Sequence, residues 1–133
     1  MKRPPALVLD TSALAAVAFG EPAGGRLALL LEGALLHAPT LMPYELASVA
    51  WRKAVRNPAG AESILRALDL ALSLDVHWVE INQRDAVQLA LEEGITPYDA
   101  AYLVTALVTS GALVTLDQRL TTAARARGVP LYP

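Results

Sequence analysis

The residues of this chain that suggest chemistry are acids placed where secondary structure changes. The apolar run Ala6-Leu7-Val8-Leu9 stops abruptly at Asp10, which is followed by two hydroxyls, Thr11 and Ser12. A second run, Ala112 to Leu116, ends in the same way on Asp117, with Thr115 beside it. Between them, Glu45 and Asp99 fall in the first turns of two apolar stretches of helical pattern. Carboxylates held within a few ångströms of one another repel, and some stay protonated unless a cation compensates. With no Cys, and only His37 and His77 as imidazoles, an all-oxygen set favours Mg²⁺ or Mn²⁺ over zinc. His77 lies inside an alternating stretch beside Trp78, where packing or a surface position is its plainer role.

Three of the four acids also have a plainer reading when taken singly. Asp10 is placed to cap a helix beginning near Ser12. Asp99 follows Thr96 by three residues, as in a capping box, and Glu45 is favoured by the dipole of its own helix. Their recurrence at strand ends and helix starts is what argues for a shared site. Other α/β chemistries fit less well. The turn after Asp10 has no glycines, so neither a dinucleotide fingerprint nor a phosphate loop is present. An aspartyl-phosphate route at Asp10 lacks a nearby lysine, the only two being Lys2 and Lys53, and a serine nucleophile lacks a histidine partner. Metal-assisted phosphodiester hydrolysis remains. Asp10 is the best candidate to touch the metal directly. Glu45, Asp99 and Asp117 then complete its shell or hold its waters, and Thr11, Ser12 and Thr115 orient the acids. Glu45, Arg52 and Arg56 fall within about 40° of one another around a helix, a row able to grip nucleic-acid phosphates, although a solvated helix face explains the arginines too.

These side chains need a scaffold that returns repeatedly to one edge. Strand-like runs are expected at Ala6 to Leu9, Ala34 to His37, Val76 to Ile81 and Ala112 to Leu116, with Val129 to Tyr132 as a further edge strand. Helices are expected from Ala13 to Phe19, from Glu21-Pro22 to Glu32, from Pro39-Thr40 to Arg56, from Ala61 to Leu74, from Arg84 to Glu93, from Thr96 to Ser110 and from Gln118 to Arg127. The alternation implies an α/β fold with a mainly parallel sheet of four to five strands, covered by helices on both faces. Two acids at strand ends then lie where open α/β sheets bind ligands.

At 133 residues the chain is expected to form a single domain spanning 1–133, with no need of disulfide or structural metal. The start, Met1-Lys2-Arg3-Pro4-Pro5, is followed by too short an apolar run for a signal peptide, and no later segment has membrane-spanning length, so a soluble cytoplasmic protein is expected. A net charge of −2 limits nucleic-acid contact to a local patch. An apolar fraction of 54% is high for a small monomer and points to a buried interface, with a second copy or a dedicated partner.

In order and spacing, Val8-Leu9-Asp10-Thr11-Ser12-Ala13-Leu14, Glu45, Thr96-Pro97-Tyr98-Asp99-Ala100-Ala101-Tyr102-Leu103 and Val114-Thr115-Leu116-Asp117-Gln118-Arg119-Leu120 resemble the PIN-domain ribonucleases, specifically the VapC toxins of toxin–antitoxin pairs. The likeness runs from Leu7 to about Tyr132. It implies a PIN-like three-layer α/β/α fold, with Asp10, Glu45, Asp99 and Asp117 as the acidic quartet of a Mg²⁺- or Mn²⁺-dependent endoribonuclease. It also implies an RNA substrate, a homodimer and a VapB-like antitoxin. The family varies most at the last acid, where Thr115 shares the question with Asp117, and Glu21 receives no catalytic role. A PIN-like nuclease outside toxin–antitoxin systems and a silent binding module are the rival readings. An intact quartet speaks against the second.

Overall fold

The computed structural model of the protein describes residues 5–133. The charged start, Met1 to Pro4, read above as no signal peptide, lies outside the described residues. Four strands, β1 (Ala6–Leu9), β2 (Leu35–Pro39), β3 (Val76–Val79) and β4 (Ala112–Val114), form one sheet in the order β3-β2-β1-β4. Every pairing is parallel, with Val8 opposite His37 on one side and Leu113 on the other. The chain thus builds outward from β1 to β3 and then places β4 on the opposite side of β1. The strand order reverses between β1 and β4, and open α/β sheets form their ligand crevice beyond the carboxyl ends at such a reversal.

Seven helices are present among the described residues: α1 (Thr11–Ala18), α2 (Gly24–Leu31), α3 (Met42–Arg56), α4 (Ala61–Leu72), α5 (Gln83–Glu93), α6 (Pro97–Thr109) and α7 (Gln118–Ala126). They complete a three-layer α/β/α arrangement, in which α1, α3 and α4 pack on one another, and α6 packs on α5 and the strands. β1 is the centre of the core: Leu7, Val8 and Leu9 are fully buried, as parallel strands covered on both faces require. Their neighbours Leu14, Met42, Leu46, Leu103 and Leu113 belong to the same contiguous cluster.

Helix starts follow the expected local chemistry. Thr96 accepts from the Asp99 amide at 3.1 Å, with Pro97 in the first turn of α6, and Asn82 accepts from the Asp85 amide at 3.1 Å. The boundaries differ from expectation where a residue joins the ladder. Pro39 is the last residue of β2, paired with Val79, so α3 starts at Met42 and not at Pro39-Thr40. The turn closed by the Gly24 amide on the Glu21 carbonyl, at 2.8 Å, delays α2 to Gly24. A Cβ on Gly24 would stand 2.1 Å from the Ala16 carbonyl oxygen, so only glycine permits this approach of α2 to α1. β3 and β4 stop before Ile81 and Leu116. The expected Val129 to Tyr132 strand reduces to one parallel bridge between Leu131 and Leu113.

Candidate active site

β1 delivers Asp10 into the crevice at the strand-order reversal. Asp10 is 4% exposed, and its carboxyl is held on three sides. The Ala13 amide donates to Oδ1 at 2.9 Å, the Ser12 hydroxyl to the same oxygen at 2.7 Å, and the Thr115 hydroxyl to Oδ2. Thr115 arrives from the end of β4, so the parallel β1–β4 pairing itself sets this contact. Burial raises the Asp10 carboxyl above its ordinary value of 3.8; Thr115, Ala13 and Ser12 oppose that rise and the charge of Asp117 adds to it.

Asp117 lies past the end of β4 and caps α7. Its Oδ1 accepts from the amides of Arg119 at 2.8 Å and Leu120 at 3.3 Å. Its own amide donates to Thr115 Oγ1 at 3.0 Å, and the neighbouring Leu116 amide donates to Ser12 Oγ at 3.0 Å. The two hydroxyls therefore tie the β1 and β4 loops together through the Asp10 carboxylate. Asp99, in the first turn of α6, is raised by partial burial and by Asp117, with the Thr96 hydroxyl and Arg119 opposing.

Glu45 comes from α3 and meets α1 and α6. Thr11 Oγ1 donates to Glu45 Oε1 at 2.9 Å, and the Tyr102 hydroxyl donates to the same oxygen. The two hydroxyls stand 2.7 Å apart. Burial, followed by the bond to Glu45, drives the Tyr102 hydroxyl far above its ordinary value of 10.0, so it remains a donor.

All four acids, with Thr11, Ser12, Arg52 and Arg56, line one cleft of about 510 Å³. Among the further lining residues, Glu21 and Tyr102 were given no role by the sequence, and Lys53 lines the same cleft as Asp10, against the expectation that no lysine lies near it. Lys53 Nζ stands 4.0 Å from Glu21 Oε2 and over the Phe19 ring. Tyr102 carried a usable signal: three residues after Asp99 on a helix, it lies on the same face. Lys53 follows Arg52 directly, whereas nothing in the sequence brings Glu21 to the cleft. His37 and His77 stack on each other across β2 and β3, with centroids 5.2 Å apart, and line no part of it.

The donors offered to a metal are carboxylate and hydroxyl oxygens, which suits a hard divalent cation. Among the described residues no three acids or histidines converge closely enough to make a complete shell.

Comparison with known proteins agrees with this architecture. The PIN domain family model matches residues 7–126. The chain is 34% identical to Ribonuclease VapC3 of Pyrobaculum aerophilum over 119 residues, covering 86% of this chain and 91% of the relative. A crystal structure from Pyrobaculum aerophilum superposes with a TM-score of 0.75 at 24% identity, over 90% of this chain and 84% of the other. VapBC2 from Rickettsia felis, solved with a DNA fragment from their promoter, gives a TM-score of 0.68 at 16% identity, over 96% and 97% of the two chains. With a family match across most of its length and a relative of this identity, the chain belongs to the PIN-domain family, among the VapC proteins.

Proposed function

We propose that this chain is a Mg²⁺- or Mn²⁺-dependent endoribonuclease, acting as the toxin of a type II toxin–antitoxin pair. The observation that carries the reading is the cleft at the β1–β4 reversal, lined by Asp10, Glu45, Asp99 and Asp117 with Arg52 and Arg56 beside them. The name of the relative, Ribonuclease VapC3, supports RNA as the substrate. VapC membership supports a VapB-like antitoxin as partner, and the Rickettsia felis neighbour was solved as VapBC2. Tyr44, Trp51 and Val55 leave one face of α3 apolar and exposed, which supports a protein partner or a second copy. Among the described residues no helix is long and apolar enough to cross a membrane.

Asp10, assisted by Glu45, Asp99 and Asp117, would hold the ion. The chemistry an ion held there would supply is a lowered pKa for an attacking water and neutralised charge on the phosphoryl and leaving oxygens. The protein's own contribution is positional. Ser12, Thr115 and the Ala13 amide fix the plane of the Asp10 carboxylate. Thr11 and Tyr102 hold Oε1 of Glu45 and leave its second oxygen without a side-chain partner among the described residues. Arg52 and Arg56 bind backbone phosphates and set the strand's path, through the planar fork that guanidinium offers to phosphate.

Cleavage of RNA by the purified chain tests the proposal. Mg²⁺ or Mn²⁺ is expected to support cleavage and a chelator to stop it. Asp10→Asn and Asp99→Asn are expected to abolish it while keeping the fold. Persistent cleavage by highly purified Asp10→Asn would overturn the site. Growth arrest on induction, relieved by a small reading frame encoded upstream, tests the toxin role. Cleavage without arrest would instead favour a nuclease outside toxin–antitoxin systems.

A further inference from the structure

The acidic cleft does not end at its cations. Lys53 and Arg56 also line a second groove of about 500 Å³, whose other walls include Phe19 at the end of α1, Asn57 after α3, and Ser63 and Ile64 in α4. Two cations therefore stand on the ridge between the hollows, while no carboxylate lines the second one. Arg56 is exposed, and among the described residues no carboxylate lies within 4.0 Å of it. Lys53 has the 4.0 Å approach to Glu21 and stands 5.6 Å from the Phe19 ring centroid. Asn57 Oδ1 is occupied by the Gly60 amide at 3.3 Å, which leaves its NH₂ group as a donor with no acceptor among the described residues.

We propose that this groove is a subsite for the RNA nucleotides flanking the scissile phosphate, an inference that rests on the ribonuclease reading above. Lys53 and Arg56 hold a backbone phosphate on the ridge. A base lies against the apolar surface of Phe19 and Ile64, and Asn57 and Ser63 offer hydrogen bonds to its edge or to the ribose. Cations tracking a backbone beside an aromatic surface is how sequence-tolerant single-strand grooves are built. At 1.5 Å per residue, Arg56 lies about 16 Å along α3 from Glu45, so the cationic row continues well past the acids. In a chain of net charge −2 this is a local feature and not the general surface. An acidic peptide would satisfy the two cations but would leave the aromatic surface unused.

The test is binding of single-stranded RNA to the full chain by fluorescence anisotropy, in an Asp99→Asn background to suppress cleavage. A dinucleotide and an RNA of about eight nucleotides are compared. Ser63→Glu places an acid in the first turn of α4, where the helix dipole tolerates it, and Asn57→Asp keeps the oxygen that caps Gly60. Both are expected to weaken binding of the longer RNA by roughly tenfold and to leave the dinucleotide unchanged. Arg56→Gln is expected to reduce the slope of log affinity against log salt by about 0.7. Unchanged binding of the longer RNA in Ser63→Glu and Asn57→Asp, or equal losses for both lengths, overturns the subsite. A polyglutamate peptide that competes as well as RNA overturns its assignment to a nucleic-acid strand. Wild-type cleavage is followed in parallel: if the wild type cuts RNA while the groove variants are silent in binding, only the subsite fails, and if it cuts no RNA, the ribonuclease reading fails with it.

Discussion

Tyr102→Phe removes one oxygen from the support of Glu45 and leaves the ring in place. Tyr102 is 2% exposed, so no bulk water replaces the lost donor. A hydrogen bond to a charged acceptor contributes about 1.5–3 kcal/mol. Thr11 still donates to the same carboxylate oxygen at 2.9 Å, so Glu45 is not orphaned and the lower part of that range applies, about 1.5–2 kcal/mol. Unfolding entropy of about 2.1 cal/mol/K per residue gives roughly 0.28 kcal/mol/K for this chain, and the expected fall in Tm is about 5–7 °C. Adding Thr11→Val strips Oε1 of both donors, and the double variant should lose more than the two single variants together, because they share one acceptor. Calorimetry measures the stabilities. A Mn²⁺ titration followed by thermal shift then separates positioning from packing, since a loosened Glu45 should weaken Mn²⁺ stabilisation in Tyr102→Phe more than in a core variant of equal Tm. A shift in Tm below about 1 °C, or additive losses in the double variant, would refute the shared-acceptor network.

Two further predictions concern the other acids. Asp10 and Asp99 titrate above 3.8 in the folded chain, chiefly because of burial, so the fold holds their protons more tightly than the unfolded chain does. The stability this provides is fully present below pH 3.8 and is lost as pH rises through the raised values, with the more deeply buried Asp10 dominating. Between acid and neutral pH the Tm of the wild type should therefore fall relative to that of Asp10→Asn, and a pH-independent gap in a calorimetric series would refute this. Asp117→Ala should lose about 1 kcal/mol through the cap of α7, whereas Asp117→Asn keeps an oxygen for Arg119 and Leu120 and should not. Both should abolish RNA cleavage; full cleavage by Asp117→Asn would show that the carboxylate charge is dispensable.

The layers of the fold were legible in the sequence because alternating strand and helix patterns are local. Strand order was not, because β4 reaches β1 across more than a hundred residues and no periodicity encodes that pairing. The sequence placed Asp10 and Asp117 on one edge by taking both strands as central. In the sheet, β4 is the last strand in the order and Asp117 sits beyond its end, yet the shared edge survives because β1 and β4 are parallel neighbours. Tyr102 lies on an apolar helix, and its hydroxyl finds partners only through the approach of Glu45 from α3 and of Thr11 from α1.

For Asp10 the sequence posed capping and chemistry as rival roles, and the geometry of Asp10 and Asp117 lets one carboxylate serve both. A carboxylate has two oxygens, and a cap needs only one. Asp10 accepts the Ala13 amide on Oδ1, and Asp117 accepts both α7 amides on Oδ1. In each case Oδ2 is free of backbone duty; Asp10 gives it to the hydroxyls of Thr115 and Ser12, and Asp117 has no partner there among the described residues. Capping orients the acid from the helix side, so that the second oxygen is presented from a backbone fixed by a parallel strand. An acid at a strand end that also starts a helix is thus pre-organised for a charged ligand by the same bond that explains it structurally. The capping signature therefore does not count against a site role.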